Sequence, residues 1–227
     1  MIKSISIIVP VYNELKNLRS NLKKIIYYLK KHTKDYEIII IDSGSKDGSQ
    51  KFLKKYSLRK NKVRPLFQKR KEGWGSACKL GLKKENKKYC FFYPIDDQYK
   101  IKEIIDICKV NKSTTITYRK SSFLGIIKFL RSFGFKFLCK LIFQINFKDI
   151  NSIKILELKY FNSNSVIRNF SNDWFFDLDI LLLIKKKKFI YSEYPINLYA
   201  REYGKSNITF LVTAQMFLKL FFRAFIK

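Results

Sequence analysis

YEIIIIDSGSKDGSQKFLKKY, residues 36–56, decides the fold. Four isoleucines running into Asp42 read as a strand over Tyr36–Ile41 that is apolar on both faces. The Ser, Gly and Asp of Asp42–Gly48 read as a polar loop, and Ser49–Tyr56 as a helix, with Asp47 capping a helix that opens at Gly48. The same unit occurs upstream. Ser4–Val11 is a β-branched strand ended by Pro10 and the turn-forming Asn13, and Leu15–Lys31 carries apolar residues at helical spacing. Two more units follow. Val63–Gln68 leads through a Gly-containing loop into a helix beginning near Ser76, and Tyr89–Tyr93 meets an acidic loop at Asp96 and Asp97 before a helix from about Lys100 to Lys109. Fully apolar strands alternating with amphipathic helices predict an α/β, Rossmann-like fold: a mainly parallel sheet with helices on both faces. Ligands bind such sheets at the carboxyl ends of the strands, where Asn13, Asp42–Asp47 and Asp96–Gln98 gather in one crevice.

Past residue 120 the texture changes. Phe123–Phe147 is almost wholly apolar, broken by Lys128, Ser132, Lys136, Lys140, Gln144 and Lys148 at four-residue spacing, with Gly125 and Gly134 as candidate breaks. On a helix this is one narrow polar stripe, unsuited to crossing a bilayer but suited to lying in its headgroup plane. Phe210–Phe225 repeats the design, with Lys219, Arg223 and Lys227 four apart. The other reading is that both segments are core helices packed on each other or on a partner chain.

Composition narrows the partners. Lys and Arg number 47 against 18 acids, a formal charge of +29, which points to nucleic acid, an anionic membrane surface or phosphorylated substrates. No nucleic-acid motif is present and the aromatics lie in apolar blocks, so no nucleic-acid partner is expected. Cys78, Cys90, Cys108 and Cys139 form no C-x-x-C pair, and His32 is the single histidine, which argues against zinc and for reduced core thiols. The apolar run at the N-terminus is too short for a secretory signal and continues into a strand, so none is expected.

Four stretches carry chemistry. Asp42, followed by Ser43 and Asp47, places a carboxylate at a strand end able to accept from a base imide or ribose hydroxyls. KRKEGWGSACKLGL, residues 69–82, offers Lys71 and its basic neighbours to a diphosphate, with Gly75 allowing close backbone approach; it matches neither the P-loop nor the dinucleotide fingerprint. PIDDQYK, residues 94–100, sets adjacent acids after a buried strand, hard oxygen ligands of the kind that suit Mg2+ or Mn2+, although Asp96 as a helix cap is a second reading. NDWFFDLDILLL, residues 172–183, places Asp177 and Asp179 at a helix start, either as charge-complementary acids or as functional carboxylates. In residues 193–208, Arg201 and Lys205 are able to hold a phosphate, and Ser206 joins them.

In order along the chain, these residues resemble glycosyltransferase family 2, in its dolichyl-phosphate mannosyltransferase-like and polyprenyl-phosphate sugar transferase branch. IIVPVYNE (Ile7–Glu14) resembles the opening strand and turn, IDSGSKDGS the acidic nucleoside loop, GWGSACKLGL the G-x-G-x-A-x-x-x-G segment and IDDQ the metal loop. KDINSIKIL resembles D-x-x-S-G-F-R, with Ile153 in the place of its Gly; FDLDILL resembles F-x-x-E-L-L; and EYPINLYAREYGKSNI resembles E-V-P-V…R-x-x-G-x-S-K.

The resemblance implies a GT-A fold and an inverting transfer from a nucleoside diphosphate sugar with Mg2+ or Mn2+ on the diphosphate. Pro10, Asn13, Glu14, Asp42 and Asp47 then hold the nucleoside, and Asp96 and Gln98 the metal. Pro94 stands where the family has its first metal acid, leaving the cation one ligand short unless Asp97 substitutes. A lipid phosphate acceptor, such as polyprenyl phosphate, is already anionic and needs no base; Arg201 and Lys205 would bind it. A sugar hydroxyl on a lipid-linked or cell-surface saccharide would need Asp177 or Asp179 as general base. A catalytically silent member, motivated by Pro94, is the third possibility. The expected organisation is a GT-A domain over 1–207 with an amphipathic insertion at about 123–147, then an amphipathic helix over 208–227, peripheral on the cytoplasmic face of a membrane.

Overall fold

A computed structural model describes residues 2–58, 62–110, 113–120, 126–161, 163–201, 203 and 210–225. The chain runs β1 (Ile2–Val11), α1 (Leu15–His32), β2 (Thr33–Asp42), α2 (Ser49–Ser57), β3 (Val63–Phe67), α3 (Trp74–Leu82), β4 (Tyr89–Phe92) and α4 (Ile101–Val110). It continues with β5 (Thr114–Arg119), α5 (Ile126–Phe143), β6 (Lys154–Glu157), α6 (Asn164–Asn169), α7 (Phe176–Lys187), β7 (Tyr191–Ile196) and α8 (Phe210–Phe225). Seven strands form one sheet in the order β3-β2-β1-β4-β6-β5-β7, parallel except where β6 runs against β4 and β5.

Alternation along the strands builds two cores. Ile5, Ile7, Val9, Ile38 and Ile40 face α1 and α4 through Leu18, Leu22, Ile25, Ile104 and Ile105. Ile8, Ile39 and Ile41 face the other way, onto Cys78 and Leu82 of α3 and the core that includes Leu178 and Leu181 of α7. Burying each such side chain contributes about 2 kcal/mol. The sheet is therefore covered on both sides at its centre, which is why the central runs of β1, β2 and β4 are almost wholly apolar.

Several boundaries differ from the sequence expectation. Pro10 does not end β1 but pairs with Ile41 inside it; the β4 ladder stops at Ile8, so the missing Pro10 N–H is not needed there. β2 begins at Thr33 with no intervening loop, Thr33 capping α1 by its N–H and its hydroxyl on Leu29 O. α2 opens at Ser49 rather than Gly48, and α3 at Trp74 rather than near Ser76. Gly134 does not break α5; it lies within the helix against the Phe217 ring of α8. The polar stripe ends with that helix at Phe143, since Gln144 has φ 51°.

α5 and α8 pack together, as the alternative reading had it, but only by one face each. Phe135, Cys139, Phe143 and Leu220 are buried, whereas Phe137 is 54% exposed, Leu141 64%, Leu218 61% and Phe222 67%. Among the described residues no helix is long and apolar enough to cross a membrane.

Candidate active site

Connectivity fixes where a ligand binds. The chain moves outward from β1 to β2 to β3, then returns to place β4 on the other side of β1. Loops leaving β1 and β4 therefore diverge, and the crevice between them lies at the carboxyl ends of the strands. Val11–Glu14, Asp42–Gly48 and Pro94–Gln98 meet there.

The β1 and β2 loops are sewn together. Asn13, at φ 56°, donates its N–H to Ser45 Oγ at 2.8 Å and accepts the Lys46 N–H on its side chain at 2.8 Å. Asp47 is not a simple cap of α2. One oxygen accepts from the Ser49 N–H and hydroxyl, and the other accepts the Leu15 N–H at 2.8 Å, so a single carboxylate closes the starts of two helices. Ser43 donates its hydroxyl to Gln68 Oε1, tying this loop to the one after β3. Gly44 is obligatory in that seam: φ is 77° and a Cβ would lie 2.9 Å from Arg70 Cα.

Asn13, Ser43 and Asp47 thus spend their side chains on the scaffold, and Asp42 differs. It is fully buried, with Oδ1 accepting from Ser45 N–H and the Gln50 amide, while Oδ2 has no partner among the described residues. A buried carboxylate oxygen left unpaired is costly, and an imide or ribose donor would satisfy it. Lys71 lies over the Tyr12 ring at 4.6 Å, which brings the basic loop beside the β1 turn.

Opposite stands an acidic cluster with one cation. Arg201 reaches Asp96 Oδ2 at 3.1 Å and donates to Gln98 Oε1 at 3.3 Å. Burial raises the Asp96 carboxyl above its ordinary value, with Arg201 opposing. Glu14 is raised too, first by burial and then by the neighbouring charges of Asp96 and Asp47, while Asn17 and Arg201 pull it down. Glu14, Asp96 and Arg201 therefore share one place, and a cavity of about 240 Å³ opens beside them, lined by Asn13, Glu14, Asn17, Asp47 and Tyr203.

Asp97 does not join them. Its left-handed backbone, φ 59°, directs the carboxylate to Lys100 at 2.5 Å and Lys24 at 3.7 Å, so it is not a replacement for the acid missing at Pro94. No group of three metal-ligating side chains exists among the described residues. Asp96 and Gln98 nevertheless offer two hard oxygens, a set that suits a divalent cation held jointly with substrate phosphates rather than by a protein cage.

The acids of α7 are both paired. Asp177 Oδ1 accepts from Lys154 at 2.6 Å and Oδ2 from the Trp74 indole at 3.1 Å. Asp179 accepts from Arg223 of α8 at 2.5 Å and from the Ser171 N–H at 2.7 Å. Neither side chain caps the helix. Gly75 also has a different task from the one expected: a Cβ there would lie 2.2 Å from Ser171 O, so its missing side chain admits the 171–173 backbone. Lys205 and Ser206 lie outside the described residues.

Three cations escaped the sequence reading of the site. Lys154 is buried, giving its three donors to Ile150 O, Ser152 O and Asp177. Arg119 grips Asp149 with two nitrogens, at 2.6 and 2.9 Å; burial pushes the Asp149 carboxyl up, but the guanidinium holds it below its ordinary value. Arg223 is the third. A lysine inside the apolar run SIKIL was the one visible signal, since a buried cation demands a partner.

Comparison with known proteins places this geometry. The pattern of glycosyl transferase family 2 matches residues 6–109. A dolichyl-phosphate beta-glucosyltransferase of Dictyostelium discoideum is 29% identical over 224 residues, covering 85% of this chain and 65% of that protein, so the chain spans just under two thirds of the relative's length. An undecaprenyl-phosphate 4-deoxy-4-formamido-L-arabinose transferase of Proteus mirabilis is 34% identical over 82 residues, 36% of this chain and 25% of that one. Glucosyl-3-phosphoglycerate synthase from Mycobacterium tuberculosis, solved with Mn2+, uridine diphosphate and phosphoglyceric acid, superposes with a TM-score of 0.64 at 13% identity, covering 97% of this chain and 78% of that one. The two findings agree: residues 6–109 match the glycosyl transferase family 2 pattern, and the chain has the GT-A fold.

Proposed function

We propose that this chain moves a sugar from a nucleoside diphosphate sugar to a lipid phosphate, of which polyprenyl phosphate is the type, with inversion at the anomeric carbon. The observation that carries the choice of acceptor is the pairing of both α7 acids. A hydroxyl acceptor needs a carboxylate turned toward it to take its proton, and both oxygens of each acid are instead turned onto protein donors, Lys154 and Trp74 for Asp177 and Arg223 and Ser171 for Asp179. A phosphate acceptor is already anionic and asks for no base. The names of the Dictyostelium and Proteus relatives, both transferases of lipid phosphates, support the same reading.

In this mechanism the unpaired Asp42 oxygen takes the imide or ribose of the donor, and Lys71 meets its diphosphate. Asp96 and Gln98 would hold Mg2+ or Mn2+, which when bound neutralises charge on the departing diphosphate. Arg201, already at the Asp96 carboxylate, supplies a fixed positive charge beside the leaving group and, with Lys205 and Ser206, a contact for the acceptor phosphate. Holding the acceptor oxygen in line behind the anomeric carbon supplies the remaining acceleration.

The organisation proposed is a GT-A domain over 1–207, with the 123–147 insertion, and an amphipathic helix over 208–227. The exposed Phe137, Leu141, Leu218 and Phe222 enter the headgroup region of an anionic membrane on its cytoplasmic face, and a net charge of +29 strengthens that contact.

Purified protein, Mg2+ or Mn2+ and labelled nucleotide sugars, with polyprenyl phosphate in anionic vesicles, should move label into the organic phase. Phe137→Ser with Phe222→Ser should slow this by about tenfold or more, from the burial lost by two aromatic side chains. The same variant should keep its rate on a short-chain, water-soluble acceptor. Label appearing only on free or lipid-linked saccharide hydroxyls would sink the lipid phosphate assignment.

A further inference from the structure

Resting on the nucleotide-sugar reading above, we propose that Trp74 and Trp174 form the aromatic wall against which the donor's sugar ring lies, and that Trp74 determines which sugars are accepted. The chain has two tryptophans, and the fold brings both to this spot: their rings are nearly parallel, 9° apart, with centroids 6.2 Å apart.

Trp74 is held on every side. Its indole N–H is fixed on Asp177 Oδ2, whose other oxygen is fixed by the buried Lys154. Gly73, at φ 103°, and Gly75 on either side of it lie against the backbone of Ser171–Asp173, the segment that leads into Trp174. Both indoles nevertheless remain only partly buried. A ring immobilised but not covered is preorganised for a flat apolar partner, because its ordering entropy is lost on folding and not on binding. The C–H face of a pyranose is such a partner.

Location supports the same assignment. Three residues before Trp74, Lys71 reaches Tyr12 at the β1 turn, on the nucleoside side of the crevice. On its other side Asp177 lies close enough for its charge to act on Tyr99, the residue after Gln98. Trp74 thus stands between the β1 turn, beside which Lys71 meets the diphosphate, and the β4 loop of Asp96 and Gln98, where the sugar of a bound donor has to project. The competing explanation is that the pair merely plugs the core, since Trp74 also packs against its edge.

The two tryptophans make the test direct, because all intrinsic indole fluorescence comes from this wall. Titration with a nucleoside diphosphate sugar should shift the emission, while the same nucleoside diphosphate without sugar should shift it far less. Trp74→Ala should raise KM for the sugar donor about tenfold, the scale of one lost stacking contact, and leave the affinity for the bare diphosphate unchanged. Trp74→Phe should recover most of the loss. Equal emission changes with and without the sugar, or a Trp74→Ala variant that weakens bare diphosphate and sugar donor alike, would overturn the proposal while leaving the donor site intact. Absence of any nucleotide binding by calorimetry would instead remove the reading on which it rests.

Discussion

Asp96→Asn is expected to lower sugar transfer about a hundredfold, the usual scale when a metal site loses a ligand or its support, with the fold unchanged by circular dichroism. The size follows from the geometry of the β4 loop. Pro94 contributes no carboxylate and Asp97 is turned onto Lys24 and Lys100, so Asp96 is the one acid of this loop that meets Arg201 and Gln98. No other acid of that loop can compensate. The pH profile gives a second reading of the same residue. Burial raises the Asp96 carboxyl, and only the ionised form holds a cation or Arg201, so activity should rise with pH through a midpoint above that of an ordinary aspartate. In the asparagine variant that rise should disappear from the residual rate. A variant retaining most of its activity, with the wild-type pH profile, would remove Asp96 from the mechanism.

Lys154→Met is expected to cost about 3–5 kcal/mol of stability, the range for stripping one partner from a buried ion pair. For a chain of 227 residues this corresponds to a Tm lower by roughly 10 °C. The lysine is buried and all three of its donors are used, so its loss strands the Asp177 carboxylate with only the Trp74 indole as donor. Removing the charge on both sides should be milder: Lys154→Met with Asp177→Asn should recover part of the lost Tm, because an uncompensated buried charge costs more than an absent pair. Thermal unfolding of the single and double variants measures this, and a single variant within a degree of the wild type would contradict it.

What the sequence revealed and what it hid have physical causes. Strands β1, β2 and β4 were legible because a central stretch of each is buried on both faces and is written as an apolar run, and each hands over to a helix with a helical period. β5, β6 and β7 were not. TTITYR is rich in threonine, KILE is four residues long and starts on a lysine, and YSEYPI alternates polar residues and a proline on the sheet's edge. Those strands are recognisable only by what they pair with. The same holds for the site. Asp42 and Asp96 announced themselves as acids at strand ends, but Asp177 and Asp179 looked available because their partners lie 23 and 44 residues away. Charge pairing across a fold leaves no periodicity in the chain. Asn13 and Asp47 show the converse: residue types suited to binding a nucleoside are also suited to bracing a loop, and here the bracing is visible in their hydrogen bonds.

The central claim is that the crevice between the β1 and β4 loops holds a nucleoside diphosphate sugar by way of Asp42. Calorimetric titration of the full chain, with Mg2+ or Mn2+, against a panel of uridine and guanosine diphosphate sugars tests it most directly. Saturable binding of at least one of them at a single site is predicted, weakened about tenfold or more in Asp42→Asn, which replaces the unpaired acceptor by an amide. No binding by any member of the panel, or binding that Asp42→Asn leaves untouched, would contradict it.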